Sequence, residues 1–101
     1  MPVINYKDHL FKELQDLDYA AGYLSAAFEE GEDVFLLAIK DVVDAHGGMT
    51  AISRKTKLNR ENLYQILSNK GNPKLSSLKK ILDKLGLSVK LTVKLQGTKA
   101  A

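Results

Sequence analysis

The residues of this chain with the most to offer a partner stand together in Asn59-Arg60-Glu61-Asn62, followed one turn later by Gln65. Arg can donate two hydrogen bonds to guanine, Gln can exchange a pair with adenine, and Glu can accept from cytosine, so the set has the chemistry of base-edge reading. At about 100° per residue, Leu63, Ile66 and Leu67 fall on one side of a helix and anchor it. The opposite face carries Glu61, Gln65 and Ser68, with Tyr64 and Asn69 at its margins, while Arg60 and Asn62 project from the first turn. Contacts to bases concentrate in that first turn when a helix enters the major groove. Thr50, Arg54, Lys55, Lys57, Asn59, Tyr64, Lys70 and Lys74 surround it as candidates for phosphate contact, which sets register without reading sequence. Each has a plainer reading too: Asn59 is first of all a helix cap, the Tyr64 ring first of all leans on the rim of the core, and any surface helix has a polar face.

Helices must position these groups. Asn5 or Asp8 can cap a first short helix carrying Leu10, Phe11 and Leu14, and Asp18 a second with Ala20, Tyr23, Leu24, Ala27 and Phe28 on one face. Glu30-Gly31 ends that helix, and Glu32 or Asp33 opens a third, VFLLAIKDVVDAH, apolar around most of its circumference and closed by Gly47-Gly48. This third helix is the expected spine of the core. Met49 to Thr56 make two turns, Lys57-Leu58 form a turn, and Asn59 caps the helix that runs to about Ser68. Asn72-Pro73 stops the chain, Ser76 starts a last helix with Leu78, Ile81, Leu82 and Leu85 at helical spacing, and Gly86 takes the position after its end.

Beyond Gly86 the period shortens to two. Val89, Leu91, Val93 and Leu95 alternate with Ser88, Lys90, Thr92 and Lys94, the pattern of a half-buried strand. A lone strand leaves its backbone groups unpaired, so an antiparallel pairing across a homodimer is expected, an irregular extension being the alternative. The expected organisation is one domain over 1–101. It comprises acidic N-terminal helices over 1–48, two helices about a turn plus a following helix over 49–87, a strand over 88–95 and a flexible tail over 96–101.

The overall net charge of +3 conceals two opposed halves. Residues 1–48 hold three lysines against ten acids, a net of −7, and residues 49–101 hold twelve basic residues against Glu61 and Asp83, a net of +10. The basic half has the electrostatic footprint of a phosphate-backbone binder, and the acidic half has the sign that attracts a basic protein. Without cysteine, and with only His9 and His46 as imidazoles, no disulfide framework, metal centre or cofactor is expected. No nucleophile, base and acid come together as a catalytic set, so an enzyme is not expected. The longest apolar run, Val34 to Ile39, is far below the roughly 20 residues of a membrane span, and a cytoplasmic protein with no membrane association is expected.

The stretch TKLNRENLYQILSNKGNPKLSSLKKILDKLGL resembles the second half of the phage-repressor-like (XRE, Cro/C1-type) helix-turn-helix domain, over about Met49 to Leu87. Two departures stand out: Lys57 occupies the turn position where that family usually has Gly, and Asn59 replaces the usual Ser or Thr cap. If the turn takes φ > 0, Lys57 carries strain. The longer segment AFEEGEDVFLLAIKDVVDAHGGMTAISRKTKLNRENLYQILS is similar to the addiction-module antidote proteins, HigA-type antitoxins of type II toxin-antitoxin pairs, a likeness that extends over residues 1–87. The resemblance implies a mainly α fold, a lambda-repressor-like helix-turn-helix bundle of five to six helices, with the short C-terminal β-strand read from the alternation. It further implies a dimer that binds the operator of its own operon on double-stranded DNA and neutralises a cognate basic toxin of the RelE/ParE superfamily. Two other readings stay open: a free-standing transcriptional regulator with no toxin, and a toxin-binding module that no longer binds DNA.

Overall fold

Helix α1 covers Tyr6–Leu14 and turns over Leu10 and Leu14 towards the core. Its last turn is closed by backbone bonds from Gln15 and Asp16 to the carbonyls of Lys12 and Glu13, and Asp16 then caps α2, Leu17–Glu30. Asp16 accepts hydrogen bonds from the Asp18 and Tyr19 N–H groups at 2.9 and 3.4 Å. The cap therefore lies two residues before the expected Asp18, whose place in the first turn still gives the helix dipole a favourable negative charge. The computed structural model describes residues 6–68 and 72–94, so Asn5, Asn69, Lys70 and Leu95 lie outside the described residues.

One residue, Gly31, separates α2 from α3, Glu32–Ala45. Its φ of 143° and ψ of 166° lie in a region that side chains with a Cβ rarely enter, which lets the chain reverse without a loop. Ala20, Leu24 and Ala27 of α2 are buried in the core that α3 shares through Leu36, Ala38, Ile39, Val42 and Val43. Phe28 does not join them. It is 64% exposed, because it lies a further 100° or so round the helix from Ala27, and its ring meets that of Phe35 edge to face, with centroids 5.1 Å apart. Helix α3 packs against α1, α2, α4 and α5 and is the spine expected from its pattern. His46 ends it and donates from Nε2 to the Leu14 carbonyl at 2.9 Å, joining the ends of α1 and α3.

After Gly47, in a left-handed conformation, come α4 (Gly48–Thr56), α5 (Arg60–Leu67) and α6 (Leu75–Leu85). Helix α6 begins at Leu75 rather than Ser76, with Lys74 in the capping position, and Gly86 closes it at φ 93°. Ile81, Leu82 and Leu85 are buried, and α6 packs on α4.

The β-strand expected over 88–95 is not seen in its described residues, 88–94. Among the described residues no strand occurs, and 87–94 run as irregular chain with Val89, Leu91 and Val93 58, 96 and 91% exposed. The alternation has no partner to pair with here, since a ladder needs a second strand and none occurs among the described residues. The fold is thus all-helical, six helices among the described residues, arranged as a bundle with the outline of a helix-turn-helix.

Candidate nucleic-acid interface

The connection between α4 and α5 is three residues long and is held by side chains as much as by backbone. Met49, Ile52 and Thr56 are the buried residues of α4, at i, i+3 and i+7, so a hydroxyl occupies a position on the apolar stripe. Thr56 is 2% exposed. Its Oγ1 donates to the Ile52 carbonyl at 2.7 Å and accepts from the Leu58 N–H at 3.2 Å, so the buried hydroxyl is satisfied in both senses. Ser53 Oγ donates to the Leu58 carbonyl at 2.6 Å, which fixes the next peptide. Between these two anchors Lys57 adopts φ 63° and ψ 17°, and its N–H closes α4 on the Ser53 carbonyl at 2.9 Å. Lys57 is the only non-glycine residue with positive φ among the described residues, so the strain that its departure from Gly implied is present.

Asn59 then stands in extended conformation and accepts from the Asn62 N–H at 2.7 Å, the expected capping bond. Leu63 is fully buried and Leu67 nearly so, with Ile66 packed partly against the core, as the angular reading required. With that side fixed, Arg60, Glu61, Asn62 and Gln65 are exposed together along the first turns of α5. Ser68, placed on the same face by the angular reading, is half-buried and donates to the Gln65 carbonyl at 2.9 Å. Tyr64 is 48% exposed, so its ring divides between the core rim and solvent.

Thr50, Arg54, Lys55, Lys57, Asn59 and Lys74 are all exposed. Ion pairs stand in the acidic half: Lys40 with Asp44 at 3.2 Å, and His9 with Glu13 at 3.8 Å when the imidazole is protonated. Among the described residues, no lysine or arginine of α4 to α6 has a carboxylate within ion-pair distance. Such cations retain their attraction for an external polyanion, because no internal partner has neutralised them.

Sequence reasoning missed Thr56 and Ser53, the two side chains that hold the turn. The signal for Thr56 was there: a Thr completing the Met49, Ile52 spacing one residue before a turn has to satisfy its hydroxyl locally. Among the described residues no group of three or more His, Asp or Glu stands close enough to hold a metal ion, and no helix is long and apolar enough to cross a membrane. The family model described as "Probable addiction module antidote protein" matches residues 6–93. No curated protein and no solved structure gives a significant match.

Proposed function

The chain belongs to the family of probable addiction module antidote proteins, and we propose that within it the molecule is a DNA-binding antitoxin of the HigA type. It neutralises a basic toxin of the RelE/ParE superfamily and, as a dimer, represses its own operon through a helix-turn-helix of the XRE kind formed by α4 and α5. Family membership implies a toxin partner. The observation that carries the DNA-binding part is the exposed row Arg60, Glu61, Asn62 and Gln65 on an anchored helix start, ringed by cations with no carboxylate partner among the described residues. In this reading α5 enters the major groove, those four residues meet base edges, and Arg54, Lys55, Lys57 and Lys74 meet phosphates. The exposed apolar side chains of 89–93 support the dimer, since a second copy covers them.

A gel-shift titration with DNA from upstream of its own gene tests the reading. Binding is expected to weaken steeply as salt rises, because each phosphate contact releases a counterion. Arg60→Ala and Gln65→Ala are each expected to cost about 1 to 3 kcal/mol in specific affinity, with much less effect on random-sequence DNA. Parent-like binding of that DNA by both variants would assign base reading to another face. A chain that rescues growth from its toxin and yet fails to retain the DNA at any salt would be the toxin-binding module alone.

A further inference from the structure

A second surface lies on the α2–α3 hairpin, well separated in sequence from the α4–α5 turn. A cleft of about 210 Å³ opens between the two helices. Ala26 of α2 and Val34 and Leu37 of α3 line it, and the small side chains make a slot rather than a closed core. Leu37 is 60% exposed although it lies in the middle of α3, beside the buried Leu36 and Ala38. Glu30 and Asp41 also line the cleft, and no basic residue does. Asp41 is held in place by the Tyr23 hydroxyl, which donates to its Oδ2 at 2.8 Å and leaves other lone pairs of the carboxylate for an incoming donor.

Charge decides what fits there. Residues 1–48 carry ten acids against three lysines, and one of those lysines, Lys40, is already paired with Asp44. Such a surface repels nucleic acid and attracts a cationic protein, and an apolar centre with a charged rim is the usual anatomy of a protein interface. We propose that this slot is where the toxin docks: a basic protein lays an apolar side chain across Leu37 and Ala26 and sets Lys or Arg side chains against Glu30 and Asp41. The assignment rests on the antidote reading above and adds the surface to it. It also leaves α5 free, so one chain holds DNA and toxin on separate elements.

The test uses the full chain and the purified product of the reading frame next to its gene, with affinity measured calorimetrically for the parent, Leu37→Glu and Glu30→Lys. Both substituted side chains are exposed in the free chain, and unchanged circular dichroism with unchanged binding of the upstream DNA establishes that each variant is folded. Leu37→Glu is expected to weaken toxin binding tenfold or more, as loss of a central anchor does. Glu30→Lys is expected to weaken it several-fold and to flatten its salt dependence. If Leu37→Glu does not fold, Glu30→Lys decides alone. Parent-like affinity in the folded variants overturns the slot assignment and leaves the antidote reading intact. A parent chain that does not bind that product overturns both. A Leu37→Glu chain that loses self-association by light scattering while binding toxin normally assigns the slot to a second copy of this chain and overturns the proposal.

Discussion

Lys57 and Thr56 are neighbours with opposite relations to the turn they share. Lys57 enters the left-handed region at φ 63°, where a Cβ crowds the following carbonyl at a cost of about 1 to 2 kcal/mol. Replacing it by Gly removes that strain but adds backbone freedom to the unfolded chain, worth roughly 0.5 to 1 kcal/mol in the other direction. Lys57→Gly is therefore expected to unfold in urea at or slightly above the parent midpoint, whereas Lys57→Val falls below it by about 1 to 2 kcal/mol. The same Lys57→Gly variant is expected to lower the slope of log affinity for DNA against log salt by about one, as loss of one phosphate contact does. Thr56 relieves rather than stores strain, since its hydroxyl serves the Ile52 carbonyl and the Leu58 N–H at once. Thr56→Val keeps the shape and strands the Leu58 N–H, at an expected cost of about 1 to 3 kcal/mol in urea unfolding. Thr56→Ser, which keeps the hydroxyl, is expected to lose only about 1 kcal/mol for the missing methyl.

At the scale of elements, the α2–α3 pair carries a pH dependence of its own. Partial burial, and then the hydrogen bond and nearby charge of Asp41, push the Tyr23 phenol above its ordinary value of 10.0. The folded chain thus holds this proton more tightly than the unfolded one. The contribution is complete below pH 10.0 and is lost as the pH rises above it. Tyr23→Phe is expected to make the alkaline fall in thermal stability shallower than the parent's while losing the Asp41 bond at neutral pH. These elements also divide what was legible in the sequence from what was not. Helical periodicity found the six helices of the described residues and most of their anchors, because Leu63 and Leu67 or Ile81, Leu82 and Leu85 can be buried in only one rotation. The cap of α2 was placed two residues late, since Asp16 and Asp18 are chemically alike and only the turn after α1 decides between them. Spacing alone places Phe28 inward, yet it lies about 100° round the helix from Ala27, at the margin of the buried stripe, where packing against the neighbouring helix decides exposure. Along 88–94 the alternation was real, but a period of two specifies faces and leaves the partner that would use them undefined. On α5 the cap Asn59, the buried Leu63 and Leu67 and the exposure of Glu61 and Gln65 were legible for the opposite reason, because a cap, a buried stripe and a polar stripe within eight residues determine one another, whereas Ser68 at the helix end is half-buried.

The whole molecule is an electric dipole, −7 over residues 1–48 and +10 over 49–101, and its two proposed partners differ in charge accordingly. At this scale the exposed segment after α6 matters most, with Leu91 and Val93 almost fully bare. Leu91→Glu combined with Val93→Glu is expected to shift the chain from the proposed dimer to monomer by light scattering. The affinity for a two-half-site DNA should fall with it, while the thermal midpoint at low protein concentration stays near the parent's, because neither side chain supports the core. The single residue between α2 and α3 bears on a different property, the speed of folding. A reversal through Gly31 lets two fourteen-residue helices meet with almost no chain between them, so their contacts are local and cost little loop-closure entropy. That hairpin is the expected nucleus, and Gly31→Ala, strained at φ 143°, is expected to slow refolding by nearly the whole of its destabilisation and to leave the unfolding rate almost unchanged. Stopped-flow measurement of both limbs would read this directly, and an effect confined to unfolding would place the nucleus among the later helices, α4 to α6.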